Sequence, residues 1–74
     1  MIKFSRHAKR RARLYNISDS TVTDILTSMN LGRGEHEIIK DVPGFQYPLK
    51  IVVSVEGDKV TVITNYPLKK GRGK

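Results

Sequence analysis

The chain has 74 residues, of which 14 are Lys or Arg, 7 are Asp or Glu and none is Cys. This length allows one domain with a small core. The absence of cysteine excludes disulfides, thiolate nucleophiles and cysteine-ligated zinc. The longest apolar run, Ile51–Val53, is far shorter than the roughly 20 residues of a membrane span, and no apolar stretch of a secretory signal follows the basic N-terminus. We therefore expect a cytoplasmic protein without a membrane-binding role.

The charges are segregated along the chain. Residues 1–16 carry six Lys and Arg and no acid, residues 69–74 carry four more, and the part between them holds all seven acids. Basic ends around a mildly acidic body are typical of a protein that binds a polyanion. The alternative is that a solvated basic helix and a basic tail only keep the protein soluble.

Two helices are predicted first. Ser5 is suited to cap a helix that extends to Tyr15, and Asn16 tolerates the left-handed conformation that ends it. Ser18 is suited to cap a second helix. The apolar residues expected to face the core follow helical spacing: Phe4, Ala8, Ala12 and Tyr15 in the first helix, and Val22, Ile25, Leu26 and Met29 in the second.

The pattern then changes to that of strands, predicted over residues 35–42, 47–56 and 59–66. Gly57-Asp58 fits a tight hairpin turn with Glu56 opposite Lys59. This register predicts four pairs on the core face: Val55 with Val60, Val53 with Val62, Ile51 with Thr64, and Leu49 with Tyr66. It predicts three pairs on the other face: Lys50 with Asn65, Val52 with Ile63, and Ser54 with Thr61. Val52 and Ile63 are apolar, which predicts partial cover of that second face.

The predicted fold class is α+β, with two N-terminal helices packed on one face of a small, mainly antiparallel sheet of three to four strands. We expect one domain over residues 1–68, followed by a basic flexible tail over 69–74.

Four polar residues form a candidate catalytic site. His7 and Arg11 are one helical turn apart, and Thr64 and Tyr66 interrupt an apolar strand pattern. If the first helix packs on that strand, the four side chains meet at one edge of the sheet. They suit metal-free RNA cleavage, in which the 2′-hydroxyl is the nucleophile and the protein supplies proton transfer and a cation. The alternative is structural, because helix histidines and strand-end Thr and Tyr are common without a function.

Phosphate contacts are predicted at five cationic residues, Arg6, Arg10 and Arg13 on the first helix and Lys69 and Lys70 in the tail. Two histidines without cysteine leave few strong metal ligands, and no phosphate-binding or dinucleotide glycine pattern is present. We therefore expect no metal site and no cofactor.

Short motifs carry a family resemblance. The run His7-Ala8-Lys9-Arg10-Arg11 and the later Asn16-Ile17-Ser18 resemble the H-A-x-x-R…G-I-S opening of a widespread family of small uncharacterised prokaryotic domains. Thr64-Asn65-Tyr66-Pro67 resembles the T-x-Y-P that ends its final strand. The chain departs from this pattern at Tyr15, where a second Arg is common, and at Asn16, where the family has Gly.

The order of two helices and then strands is similar to that of the RelE and BrnT ribonuclease toxins, in the barnase–colicin–RelE fold group. This resemblance implies a small α+β domain that cleaves RNA without a metal, with His7, Arg11, Thr64 and Tyr66 as its site. It also implies an acidic antitoxin as a protein partner. Two alternatives remain open, a nucleic-acid-binding module without catalysis and a domain that docks an acidic partner, because a fold does not fix a function.

Overall fold

A computed structural model describes residues 2–68, so the predicted contacts of Lys69 and Lys70 and the predicted tail lie outside the described residues. The elements in chain order are β1 (Ile2–Phe4), α1 (Arg6–Leu14), α2 (Asp19–Thr27), β2 (Gly34–Lys40), β3 (Leu49–Glu56) and β4 (Lys59–Pro67). Four strands form one sheet in the order β1-β4-β3-β2. The predicted α+β class, with two helices before a mainly antiparallel sheet, is confirmed.

Both helices begin at the predicted serine caps. The Ser5 Oγ accepts a hydrogen bond from the backbone N–H of Ala8, and the Ser18 Oγ accepts one from that of Thr21. Each bond satisfies an amide that has no partner within its own helix. After α1, Asn16 has a φ of 56°, the left-handed conformation predicted there, and this residue directs the chain into α2.

The first strand, β1, was not predicted. Ile2–Phe4 pairs in parallel with residues 60–62 of β4, so Phe4 belongs to a strand and not to the first helix. A strand of three residues is too short to show an alternating apolar pattern. Its partner lies nearly sixty residues away, so neighbouring sequence does not indicate the pairing either. The strand ends where Ser5 turns the chain into α1.

The core lies between the helices and one face of the sheet. Its buried residues come from every element except β1: Ala8 and Ala12 from α1, Ile17 from the loop, Val22, Ile25 and Leu26 from α2, Ile38 from β2, and Leu49, Ile51, Val53, Val55 and Val62 from β3 and β4. The core prediction for Met29 is wrong. Met29 follows the end of α2 and is 39% exposed.

A β-bulge in β4 changes the predicted register. The hairpin begins as predicted, with Glu56 opposite Lys59 and Val53 opposite Val62, but Val52 then pairs with Thr64. Ile63 is therefore the extra residue of the bulge. Because successive strand side chains alternate between faces, one extra residue moves every later side chain to the other face.

The four pairs predicted beyond that point are wrong. Ile51 is opposite Asn65 and not Thr64, and Leu49 is opposite Pro67 and not Tyr66. Lys50 is opposite Tyr66 and not Asn65, and Val52 is opposite Thr64 and not Ile63. Asn65 thus lies on the core face, fully buried. Thr64 and Tyr66 lie on the face away from the helices, which we call the open face.

Candidate functional site

The candidate site lies where α1 runs beside β4. The short strand β1 pairs with β4 only as far as Val62. Beyond that residue α1 lies beside β4. The Ser5 N–H donates to the Val62 carbonyl at 2.9 Å, and the Ser5 hydroxyl donates to the Ile63 carbonyl at 2.8 Å. Further along, the Asn65 side-chain amide donates to the Ala8 carbonyl at 3.4 Å. We call this region the α1–β4 junction.

Arg11 and Tyr66 meet at this junction. The Arg11 guanidinium carbon lies 5.6 Å from the centroid of the Tyr66 ring, within the distance at which a cation and an aromatic face attract each other. Both side chains are half-buried. The contact runs from the side of α1 to the open face of the sheet. It therefore joins α1 and β4, the two elements that were predicted to supply the site.

Thr64 lies two residues before Tyr66, on the same face of β4. Its hydroxyl oxygen is shielded from solvent and has no hydrogen-bond partner in the structure. A buried hydroxyl without a partner is costly, and most such groups in proteins are satisfied. The Thr64 hydroxyl is therefore an unsatisfied polar group two residues from Tyr66 on the same face of β4.

His7 is exposed and lies one turn before Arg11 on the same side of α1. Because α1 follows the direction of β4, His7 and Arg11 run along one side of the junction, and Thr64 and Tyr66 along the other. The structure brings Arg11 into contact with Tyr66. Among the side-chain hydrogen bonds of residues 2–68, none involves the His7 ring, so the ring is free to meet a ligand.

Sequence reasoning missed Asn65, which the bulge turns into the core. Its Nδ2 bonds to Ala8, while its Oδ1 is buried without a partner. In the alternating pattern Asn65 is a solvent-facing residue, and only the bulge reverses it. Its neighbours Thr64 and Tyr66 are also polar, so the sequence contains no signal that singles out Asn65 as the buried residue.

The solvent side of α1 is a cationic face formed by Arg6, Lys9, Arg10 and Arg13. All four side chains are exposed, line a shallow groove and form no ion pair with any acid among residues 2–68. Lys9 was not among the predicted phosphate contacts, and the structure adds it to this face. α1 has no acid in its first turn, so its positive charge is uncompensated and available to a polyanion.

The other histidine is remote from the junction. His36 lies on β2, with its Nε2 2.7 Å from the Gly32 carbonyl oxygen. Within residues 2–68, no group of three or more His, Asp or Glu side chains is placed to hold a metal ion. Neither α1 nor α2, the two helices of the described chain, has the length and apolar character to cross a membrane.

The chain matches no protein-family model, and neither curated proteins nor solved structures provide a match. The similarity to the RelE and BrnT toxins therefore remains a prediction from short motifs.

Proposed function

We propose that the protein binds RNA and cleaves it as a metal-independent endoribonuclease at the α1–β4 junction. The observation that carries this proposal is the contact between Arg11 and Tyr66. It places a cation and a phenol together at the end of a cationic helix, and the unsatisfied Thr64 hydroxyl lies two residues from Tyr66 on the same face of β4.

The chemistry needs only groups that these residues possess. The ribose 2′-oxygen loses its proton to a base and attacks the neighbouring phosphorus, and the bond from phosphorus to the 5′-oxygen breaks as that oxygen gains a proton. An imidazole can accept a proton at one ring nitrogen and donate one from the other, and this proton transfer is the role assigned to His7. Arg11 can hold the phosphate oxygens with its planar fork of donors. Tyr66 donates a proton or stacks on a base.

The cationic face supplies the affinity. Arg6, Arg10 and Arg13 project into solvent beside Lys9, and contacts of this kind bind phosphates independently of sequence. The same face suits an acidic protein partner. We therefore assign the protein to the toxin–antitoxin type, acting in the cytoplasm, with an acidic antitoxin that covers this face and blocks RNA.

A second candidate is an RNA-binding module without catalysis. The exposure of His7 favours it, because no side-chain hydrogen bond or ion pair within residues 2–68 fixes the orientation of this ring, and catalytic bases are usually oriented by a neighbour. This candidate uses the cationic face alone and predicts binding without product.

The test is incubation of labelled RNA with purified protein in EDTA. We expect wild-type protein to cleave, and His7→Ala and Tyr66→Phe to lose cleavage while keeping the fold by circular dichroism. The matched controls are His36→Ala, the other histidine, and Tyr47→Phe, a half-buried tyrosine in the loop before β3; both should cleave normally. Intact RNA that remains bound to wild-type protein would favour the binding module.

A further inference from the structure

Lys50 lies beside the candidate site because of the bulge. Without the bulge its strand partner would be Asn65, whereas in the structure Lys50 is directly opposite Tyr66 on the open face. Directly opposed residues in antiparallel strands have neighbouring side chains. We propose that Lys50 is a second phosphate-binding residue of the site and that Glu37 occupies it in the free protein. This inference rests on the proposed RNA-binding function and adds to it the surface that the RNA covers.

The two cations flank Tyr66 from opposite sides. The Arg11 guanidinium contacts the Tyr66 ring from the α1 side of β4, and Lys50 is the strand partner of Tyr66 on β3. In the free protein the Lys50 ammonium is turned to Glu37 on β2, so it must leave that carboxylate to meet a phosphate at Tyr66. The next pair along the same face is Thr64 opposite Val52. A strand of RNA crossing the open face at Tyr66 therefore meets a cation on each side of the ring, with the Thr64 hydroxyl one position further.

Glu37 is a replaceable partner for Lys50. The Lys50 Nζ lies 3.4 Å from the Glu37 carboxylate, and the two side chains are 22% and 66% exposed. An ion pair with one well-exposed member contributes little to stability, because water and salt screen it. A phosphate group is negatively charged, as the Glu37 carboxylate is. It can therefore replace Glu37 while the positive charge of Lys50 stays paired. Glu37 then acts as a weak competitor of the RNA.

The open face is distinct from the cationic face of α1. Arg6, Arg10 and Arg13 point away from the sheet, whereas Lys50 lies on it. Loss of Lys50 should therefore weaken RNA binding even when the cationic face is intact. This result would distinguish RNA binding at Lys50 from general attraction to the basic helix α1.

The experiment measures binding of a fluorescent 2′-O-methyl RNA strand, whose blocked 2′-oxygen prevents cleavage, by anisotropy at several salt concentrations. Lys50→Gln should weaken binding several-fold and lower the salt slope by about 0.7, the value for one lost phosphate contact on a single strand. Lys40→Gln, which removes an exposed lysine at the end of β2, is the control for lost charge. Equal effects of these two variants would overturn the assignment of Lys50.

Glu37→Gln tests the competition independently. It should tighten binding more than Glu35→Gln, which removes an equal charge from the same strand and face but has no ion pair with Lys50. Equal effects would overturn the role of Glu37. Lys50→Arg should keep the affinity, and it supplies a folded comparison if Lys50→Gln is unstable.

The outcome is separable from that of the proposed function. Binding that depends on Lys50 without cleavage of unmodified RNA would support the Lys50 assignment and refute catalysis. Cleavage that depends on His7, together with equal binding by Lys50→Gln and Lys40→Gln, would support catalysis and refute the Lys50 assignment.

Discussion

Asn65 joins β4 to α1 through a single hydrogen bond from its Nδ2 to the Ala8 carbonyl oxygen, 3.4 Å long, at a position with no exposure to solvent. Its neighbours on either side, Thr64 and Tyr66, belong to the candidate site, and Ala8 lies between His7 and Arg11. The bond therefore holds the two halves of the α1–β4 junction together beyond the point where Ser5 bonds to Val62 and Ile63.

Asn65→Asp should lower the free energy of unfolding by about 1–3 kcal/mol at neutral pH, because an acceptor then faces the Ala8 carbonyl. Burial raises the pKa of a carboxyl group, so the folded variant binds the proton more tightly than the unfolded chain does. The variant is thus most stable at acidic pH and loses stability as the pH rises. Urea unfolding at two pH values measures this, and Asn30→Asp, at an exposed loop position, should show no such loss.

Ser5→Ala should destabilise the protein more than Ser18→Ala, although both serines cap a helix. Each substitution removes an N-cap, which costs about 1 kcal/mol. Ser5 also donates to the Ile63 carbonyl in the bulge, and loss of that donor adds about 1 kcal/mol. Thermal unfolding of the two variants decides the matter. The Ser18 hydroxyl also lies within hydrogen-bond distance of the Ser20 and Thr21 hydroxyls, but these contacts are exposed, where water can replace them. Equal losses would contradict the larger contribution of Ser5.

Leu49→Ala should cost about 2–5 kcal/mol, the usual range for a fully buried leucine. Leu49 has no exposed surface and packs in the core at the start of β3. Its matched control is Leu14→Ala, because Leu14 is 68% exposed at the end of α1; that change should stay within about 0.5 kcal/mol. Denaturant unfolding of both variants checks the placement of the core, and a large loss in Leu14→Ala would contradict it.

The triple variant Arg6→Gln, Arg10→Gln and Arg13→Gln should bind single-stranded RNA more weakly, with a salt slope reduced by about 2, or about 0.7 for each phosphate contact. The control replaces three exposed cations elsewhere, Arg33, Lys40 and Lys59, and removes the same net charge. If both triple variants lose the same slope, the attraction depends on net charge and not on the cationic face of α1.

Local signals predicted most of the fold. Ser5, Ser18 and Asn16 act through neighbouring backbone groups, so their roles can be inferred from a few residues of sequence. The class of fold follows from the change of apolar period after Gly34. Strand β1 was not predictable, because its stability comes from a partner at the far end of the chain.

The candidate site was predictable only in part. Arg11 and Tyr66 do meet, but the sequence placed Tyr66 and Thr64 on the core face. The bulge at Ile63 lies where β4 passes from its pairing with β1 to its contacts with α1, and the sequence pattern around Ile63 does not indicate it. The bulge turns Asn65 into the core and places Tyr66 opposite Lys50. The sequence pattern did not indicate Lys50 as a site residue.

In the proposed reaction the 2′-hydroxyl of the RNA is the nucleophile, so a strand without free 2′-hydroxyls should resist cleavage. The most direct measurement incubates the purified protein in EDTA with one labelled RNA and with the same sequence carrying 2′-O-methyl groups, followed by mass analysis of the products. We expect cleavage of the unmodified strand alone, with a 2′,3′-cyclic phosphate or the 3′-phosphate formed from it at the new end. Equal cleavage of both strands, or no cleavage of either, would contradict the proposed reaction.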